Sequence, residues 1–254
     1  MVKTGGVLVE FVGLPASGKT WVARQAAEQV RADRLASDDR PVVTTSSGIR
    51  NDTTASWVRR GGRLLGRTLV NPGRSMRQAE GIVSSRQHSP SKAFKFFWYQ
   101  QYLLDEFHSA RRAGRVHLAD QGFLQHLWRV HLTARADEHG YLRQLVRSWE
   151  RSLLPDIVIF VNVEHQIRME RANERGTPVD AELFDPDHPL IQDDLRSYAE
   201  IKRFIRTEWG DDIPIIEIDN REDNVEENLN AIARPVADRL ARDDQLESDP
   251  PASR

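Results

Sequence analysis

Three observations predict a doubly wound α/β fold, a parallel sheet with helices on both faces. Short apolar runs rich in Val and Ile recur along the chain, as strands covered on both faces require. Helical patterns separate these runs, which makes successive strands parallel with right-handed crossovers. The first run enters a glycine-bounded turn and then a helical stretch, VLVEFVGLPASGKTWVARQAAEQV from Val7 to Val30.

The first strand is expected over Val7–Val12. Glu10 lies inside it, where a carboxylate is costly to bury, so it should pair with a basic group or lie near the sheet's end. Thr20–Leu35 is Ala-rich and amphipathic and reads as a helix. Pro41–Thr45 is the second strand. Residues from Thr45 to Ser91 fit the alternation poorly, with several Gly, Pro, Ser and Arg and only short apolar patches such as Leu64–Leu65 and Leu69–Val70. They read as an insertion over about 46–92. Phe94–Ala113 carries Phe94, Phe97, Tyr102, Leu103 and Leu104 and ends at Gly114, a C-cap glycine. Val116–Ala119 is the third strand, and Leu124–Leu153 a long helix interrupted near Gly140. Asp156–Val163 is a strand, and Glu164–Arg175 a helix ending at Gly176. Pro189–Trp209, the strand Ile213–Ile218 and Asn224–Arg242 complete a single domain over 1–242. The stretch DDQLESDPPASR, 243–254, is polar with a Pro-Pro pair and reads as a disordered tail.

Composition narrows the function. The 254 residues include no cysteine, which removes disulfides and thiolate metal sites. No apolar run approaches the ~18–20 residues of a membrane span, and MVKTGG lacks the apolar core of a signal peptide. A cytoplasmic protein without a membrane partner is expected. The net charge of −2 argues against a nucleic-acid partner. The charge is uneven, however. Ile49–Lys95 holds eight Arg and two Lys against Asp52 and Glu80. The histidines, His126 and His131 among them, show no metal-ligand spacing.

The turn Gly13-Leu14-Pro15-Ala16-Ser17-Gly18-Lys19-Thr20 matches G-x-x-x-x-G-K-[ST], the P-loop. Its chemistry is a nest of backbone N–H groups around phosphate oxygens, with the following helix pointing its positive end at the anion. Lys19 is expected to reach the β- and γ-phosphates of ATP, and Thr20 to ligate Mg²⁺. The fold class is then a P-loop NTPase fold with a five-stranded parallel sheet.

Asp120 follows the third strand, at the carboxyl ends of the strands, where ligands gather in open α/β sheets. It is expected to help hold Mg²⁺ or to accept a proton; a helix cap is the competing reading. Arg168, Arg171 and Arg175 share one helical face by their spacing. They read either as a solvated charged face or as a guanidinium clamp on the transferred phosphoryl.

The order P-loop, mid-chain helix, strand-Asp120, LPDIVIFVNVEHQIRMERANERG (Leu154–Gly176), Tyr198 and a late IPIIEID strand resembles the thymidylate kinase branch of nucleoside monophosphate kinases. The likeness spans Val7–Arg239 and is strongest at the P-loop and at Leu154–Gly176. It implies a five-stranded parallel sheet, a lid over 176–190, Arg171 and Arg175 as lid arginines, an acceptor bound near the 46–92 insertion, and a homodimer. The chain departs from the family at Pro15, where an acidic residue is usual, and at Asp120-Gln121, where the family has Asp-Arg. Tyr99-Gln100-Gln101 stands where an arginine is expected. Two groups that would hold an acceptor's phosphate are therefore missing, so the resemblance carries the donor site and not thymidylate as acceptor. Arg50 is the best-placed substitute. Phe96-Phe97-Trp98-Tyr99, with Tyr102 and Trp128, either stacks on a planar acceptor or packs in the core.

The expected function is ATP-dependent phosphoryl transfer to an unidentified small-molecule or nucleotide acceptor. Lys19, Asp120, Arg171 and Arg175 are the catalytic candidates. Arg50, Tyr99, Tyr102 and Arg168 are the acceptor-side candidates. The alternatives are a P-loop ATPase and a nucleotide-binding regulatory module. No N-K-x-D guanine motif is present.

Overall fold

The computed structural model describes residues 6–34, 42–45, 72–136, 140–175 and 189–248. Among them five strands, β1 (Val7–Val12), β2 (Val42–Thr45), β3 (Val116–Ala119), β4 (Ile157–Asn162) and β5 (Ile215–Asp219), form one sheet in the order β2-β3-β1-β4-β5. Every pairing is parallel. The helices are α1 (Lys19–Arg34), α2 (Pro72–Ser84), α3 (Pro90–Arg112), α4 (Phe123–Leu132), α5 (Gly140–Arg147), α6 (His165–Arg175), α7 (Pro189–Trp209) and α8 (Val225–Ser248).

β1 is buried along its whole length, and its pleat divides the core. Val7, Val9 and Phe11 join Ala23, Ala26 and Ala27 of α1 and Ile232 and Val236 of α8. Leu8 and Val12 join Phe107 of α3, Leu124 and Leu127 of α4, and Ile201 and Ile205 of α7. Strand alternation, with a period of two, makes that division. The central position of β1 sets its carboxyl end, where the P-loop begins, between the carboxyl ends of β3 and β4.

The departures from expectation have local causes. The stretch 46–92 contains a helix, α2. Its buried residues are Ser75, Gln78, Gly81 and Ile82, so three of four inward positions give no apolar signal. Gly81 is required there, because a Cβ would come within 2.9 Å of Leu145 on α5. α3 begins at Pro90, earlier than Phe94: Ser89 caps it by accepting from the Lys92 N–H at 3.2 Å, with Pro90 in the first turn. The expected helix Leu124–Leu153 is two helices and a 3₁₀ turn, Arg151–Leu153. The break falls at Thr133, whose hydroxyl bonds Gln87 at 2.6 Å and the Arg129 carbonyl at 3.1 Å. Asp156 stands outside β4, with its carboxylate accepting from the Leu8 N–H and from Arg111. α8 runs through Ser248, and residues 249–254 of the expected tail lie outside the described residues. No helix among the described residues is long and apolar enough to cross a membrane.

Phe107 is 1 % exposed, with its ring 5.0 Å from Phe123 and 5.5 Å from His117. Phe107→Ala is expected to lower stability by about 3–5 kcal/mol in urea unfolding. A loss below about 1 kcal/mol would mean that α3 does not hold this face of the sheet.

Candidate active site

The P-loop leaves β1 at Gly13 and feeds α1 at Lys19. Gly13 cannot carry a side chain, since a Cβ would lie 2.7 Å from both the Val161 carbonyl and the Ser17 hydroxyl. Gly18 has φ +85°, and a Cβ there would meet Asn220 Nδ2 at 2.2 Å. Ala16 also adopts a positive φ of 59°, at a cost on the order of 1 kcal/mol. Its methyl packs on Ala172 and Met169 of α6. Lys19 is buried and donates to the carbonyls of Gly13 at 2.6 Å and Leu14 at 2.9 Å. The result is a turn of backbone amides at a helix N-terminus, with one ammonium folded back over it.

β3 brings Asp120 alongside, and the Thr20 hydroxyl donates to Asp120 Oδ2. A hydroxyl and a carboxylate one bond apart at the mouth of the P-loop are the donor set a hard divalent cation takes. On the opposite flank, Asn220 follows β5 and donates from Nδ2 to the Ser17 carbonyl at 2.8 Å. Arg171 Nη2 donates to the Asn220 carbonyl at 3.1 Å, while its Nη1 is buried with no hydrogen-bond partner. Gly18 faces that Nη1, which a Cβ on Gly18 would approach to 3.4 Å.

Arg168 is 1 % exposed, beneath the loop. It donates from Nε to the Pro15 carbonyl at 3.2 Å and from Nη2 to Asp194 at 3.4 Å. Burial pushes the Asp194 carboxyl up to about 6, against the pull of Arg168. Arg168 therefore braces the loop from below. Arg50, the side chain of Arg175 and residues 176–188 of the expected lid lie outside the described residues, and Pro189 and Leu190 belong to α7.

A cavity of about 440 Å³ opens from Gly18, Lys19 and Thr20 and continues past Gln121 and Gln125 to Phe96, Trp128, Arg129 and Thr133. Tyr99 lies at its edge, 6.0 Å beneath the Arg129 guanidinium and stacked on Tyr102. Both tyrosines also pack against the core, and Phe96 serves both surfaces.

Glu10 is fully buried and has no basic partner among the described residues. Its Oε1 accepts the N–H groups of Leu124 at 2.7 Å and Gln125 at 2.9 Å. It thus caps α4, whose own cap residue Gly122 supplies no side-chain bond. A Cβ on Gly122 would strike the Glu10 carboxyl at 2.3 Å. From the same turn, Gln125 Oε1 accepts the Gly13 N–H at 3.1 Å. Sequence reading missed Gln125, Arg129, Asn220 and Asp194. Only Asn220, just past the last strand, sits where strand ends alone could have drawn attention.

The family model described as AAA domain matches residues 8–200. The chain belongs to this AAA domain family. No curated protein matches it significantly. The matched span of this AAA domain holds the P-loop, Asp120, α4 and the Arg168–Arg171 face, and it makes the chain a P-loop nucleotide-binding domain.

Burial raises the Glu10 carboxyl to about 8, against the backbone N–H groups that favour its charge. A raised carboxyl favours the folded state while protonated. Its contribution is full below about pH 4.5 and is lost as pH climbs through about 8. Glu10→Gln keeps an acceptor for α4 and removes the titration. We expect wild-type stability to fall relative to Glu10→Gln by about 3–5 kcal/mol between pH 5 and 9. Parallel pH profiles in denaturant titrations would contradict this.

Proposed function

We propose that this protein is an ATP- and Mg²⁺-dependent kinase that transfers the γ-phosphoryl to a small-molecule acceptor. The observation that carries the reading is the cavity that continues from Lys19 and Thr20 along α4 to Thr133. Nucleotide hydrolysis needs only a water beside the P-loop, whereas this chamber has room for a second substrate.

The residues present fit the groups the reading requires. The glycine cradle and the helix N-terminus suit a polyphosphate, with Lys19 able to leave its two carbonyl partners for phosphate oxygens. Thr20 and Asp120 would hold Mg²⁺, which supplies charge neutralisation on the phosphates. Arg171 enters with a buried, uncommitted Nη1 facing Gly18. Arg175 would act beside it. Because phosphoryl transfer asks for positioning and charge stabilisation more than covalent help, these groups account for the catalysis proposed. If the acceptor oxygen is an alcohol, Asp120 is the candidate to receive its proton. The thymidylate kinase likeness supports the donor half of this reading.

The test is incubation with labelled ATP, Mg²⁺ and a metabolite pool. Label appearing in an acceptor is expected; phosphate release independent of any acceptor would establish the ATPase alternative instead. Arg171→Ala is expected to lower turnover by about 10²–10³-fold with ATP affinity changed less than about threefold. Equal losses would remove Arg171 from the transition state. Asp120→Asn is expected to lose metal-dependent turnover while keeping the wild-type melting profile; unchanged kinetics would remove Asp120 from the site.

A further inference from the structure

Arg129 lines the cavity about one helical turn beyond Gln125 on the same face of α4. Its guanidinium enters no hydrogen bond or ion pair with any described residue and lies 6.0 Å over the Tyr99 ring. Two buried arginines elsewhere in the described fold are bound by the protein: Arg111 to Asp156 and three carbonyls, Arg168 to Asp194 and Pro15. A guanidinium stacked on an aromatic face in a cleft still has its forked donors to offer, and that fork matches a phosphate or carboxylate bidentately.

The rest of the wall points the same way. Among the described residues lining this cavity there is no Asp or Glu, so no described carboxylate in its wall pairs with Arg129. Trp128 is 4 % exposed, and its indole N–H has no hydrogen-bond partner. His126, packed against Phe96 and Tyr99, is held neutral by burial and by Arg129, with its pKa near 3, so it adds no second cation. Phe96 and Leu132 supply the apolar surface. The chamber therefore has the P-loop Lys19 at one wall, apolar surface from Phe96 and Leu132, and one guanidinium on its α4 wall, Arg129.

Resting on the kinase reading, we propose that the acceptor carries its own oxyanion, a phosphate monoester or a carboxylate, and that Arg129 holds it and thereby sets specificity. The same cavity wall reaches the P-loop, since Gln125, one turn before Arg129 on α4, accepts the Gly13 N–H, so an acceptor held at Arg129 shares one chamber with Lys19 and Thr20. Phosphate and carboxylate share the chemistry that Arg129 recognises, and the experiment separates them.

The protein is saturated with Mg²⁺ and a non-hydrolysable ATP analogue, so that the P-loop cannot take a second anion. Calorimetry then compares 1-naphthyl phosphate, 1-naphthoate and 1-naphthol, which share one planar body. We expect an anionic probe to bind at least tenfold more tightly than the naphthol in wild type. Arg129→Ala and Arg129→Gln, the latter keeping a polar but uncharged side chain beside Tyr99, should abolish that preference, and Arg129→Lys should recover part of it. The better-bound anion identifies the source chemistry. Equal binding of all three probes, binding of none, or a preference that survives Arg129→Gln overturns the proposal. Failure of the ATP analogue to bind would instead sink the kinase reading, while the wild-type to Arg129→Gln comparison, repeated without nucleotide, still decides the role of Arg129.

Discussion

One buried carboxyl organises the α4 side of the cleft. Glu10 stands on the central strand and holds the first N–H groups of α4 from across the sheet. That contact fixes where the helix begins, and every α4 side chain in the cleft depends on it. It also explains Gly122, since no other residue lets the turn close on the carboxyl. Burying the group is costly, and the helix N-terminus offsets part of that cost through its unsatisfied donors and its dipole. Gln125 then carries the constraint back to the P-loop by accepting the Gly13 N–H. Strand, helix and loop form a closed circuit that passes under the site.

The donor half is braced differently. Asn220 joins the end of β5 to the Ser17 carbonyl, Arg171 joins α6 to Asn220, and Arg168 joins α6 to Pro15. A nest of amides binds anions only if its carbonyls point away from the ligand. These side chains hold the carbonyls of Pro15 and Ser17. Lys19 holds those of Gly13 and Leu14. The loop is thus arranged in advance, which reduces the ordering cost of binding.

The two halves divide the arginines into distinct physical roles. Arg168 is consumed by Asp194 and a carbonyl, and its burial leaves no face for a ligand. Among the described residues, Arg171 has one nitrogen without a hydrogen-bond partner beside Gly18, and Arg129 has its contact with the Tyr99 ring and no hydrogen bond. Spacing on α6 made Arg168 and Arg171 equivalent, but packing against the P-loop separated them.

By itself the sequence determined the strands, the P-loop and the position of Asp120, because these depend on local signals: apolar runs, glycines that permit a tight turn, and the end of a strand. It also placed the ligand at the carboxyl ends of the sheet. Only the tertiary structure decided what Glu10 does, which distant groups take the arginines' hydrogen bonds and where the cavity beside the P-loop lies. α2 escaped notice because it buries Ser75, Gln78 and Gly81 against neighbours that its own sequence does not reveal. The reason is common to all of these. A side chain's role in this protein is set by which distant partner takes its hydrogen bonds, and pairs such as Glu10 with Leu124 or Arg171 with Asn220 are far apart in the chain.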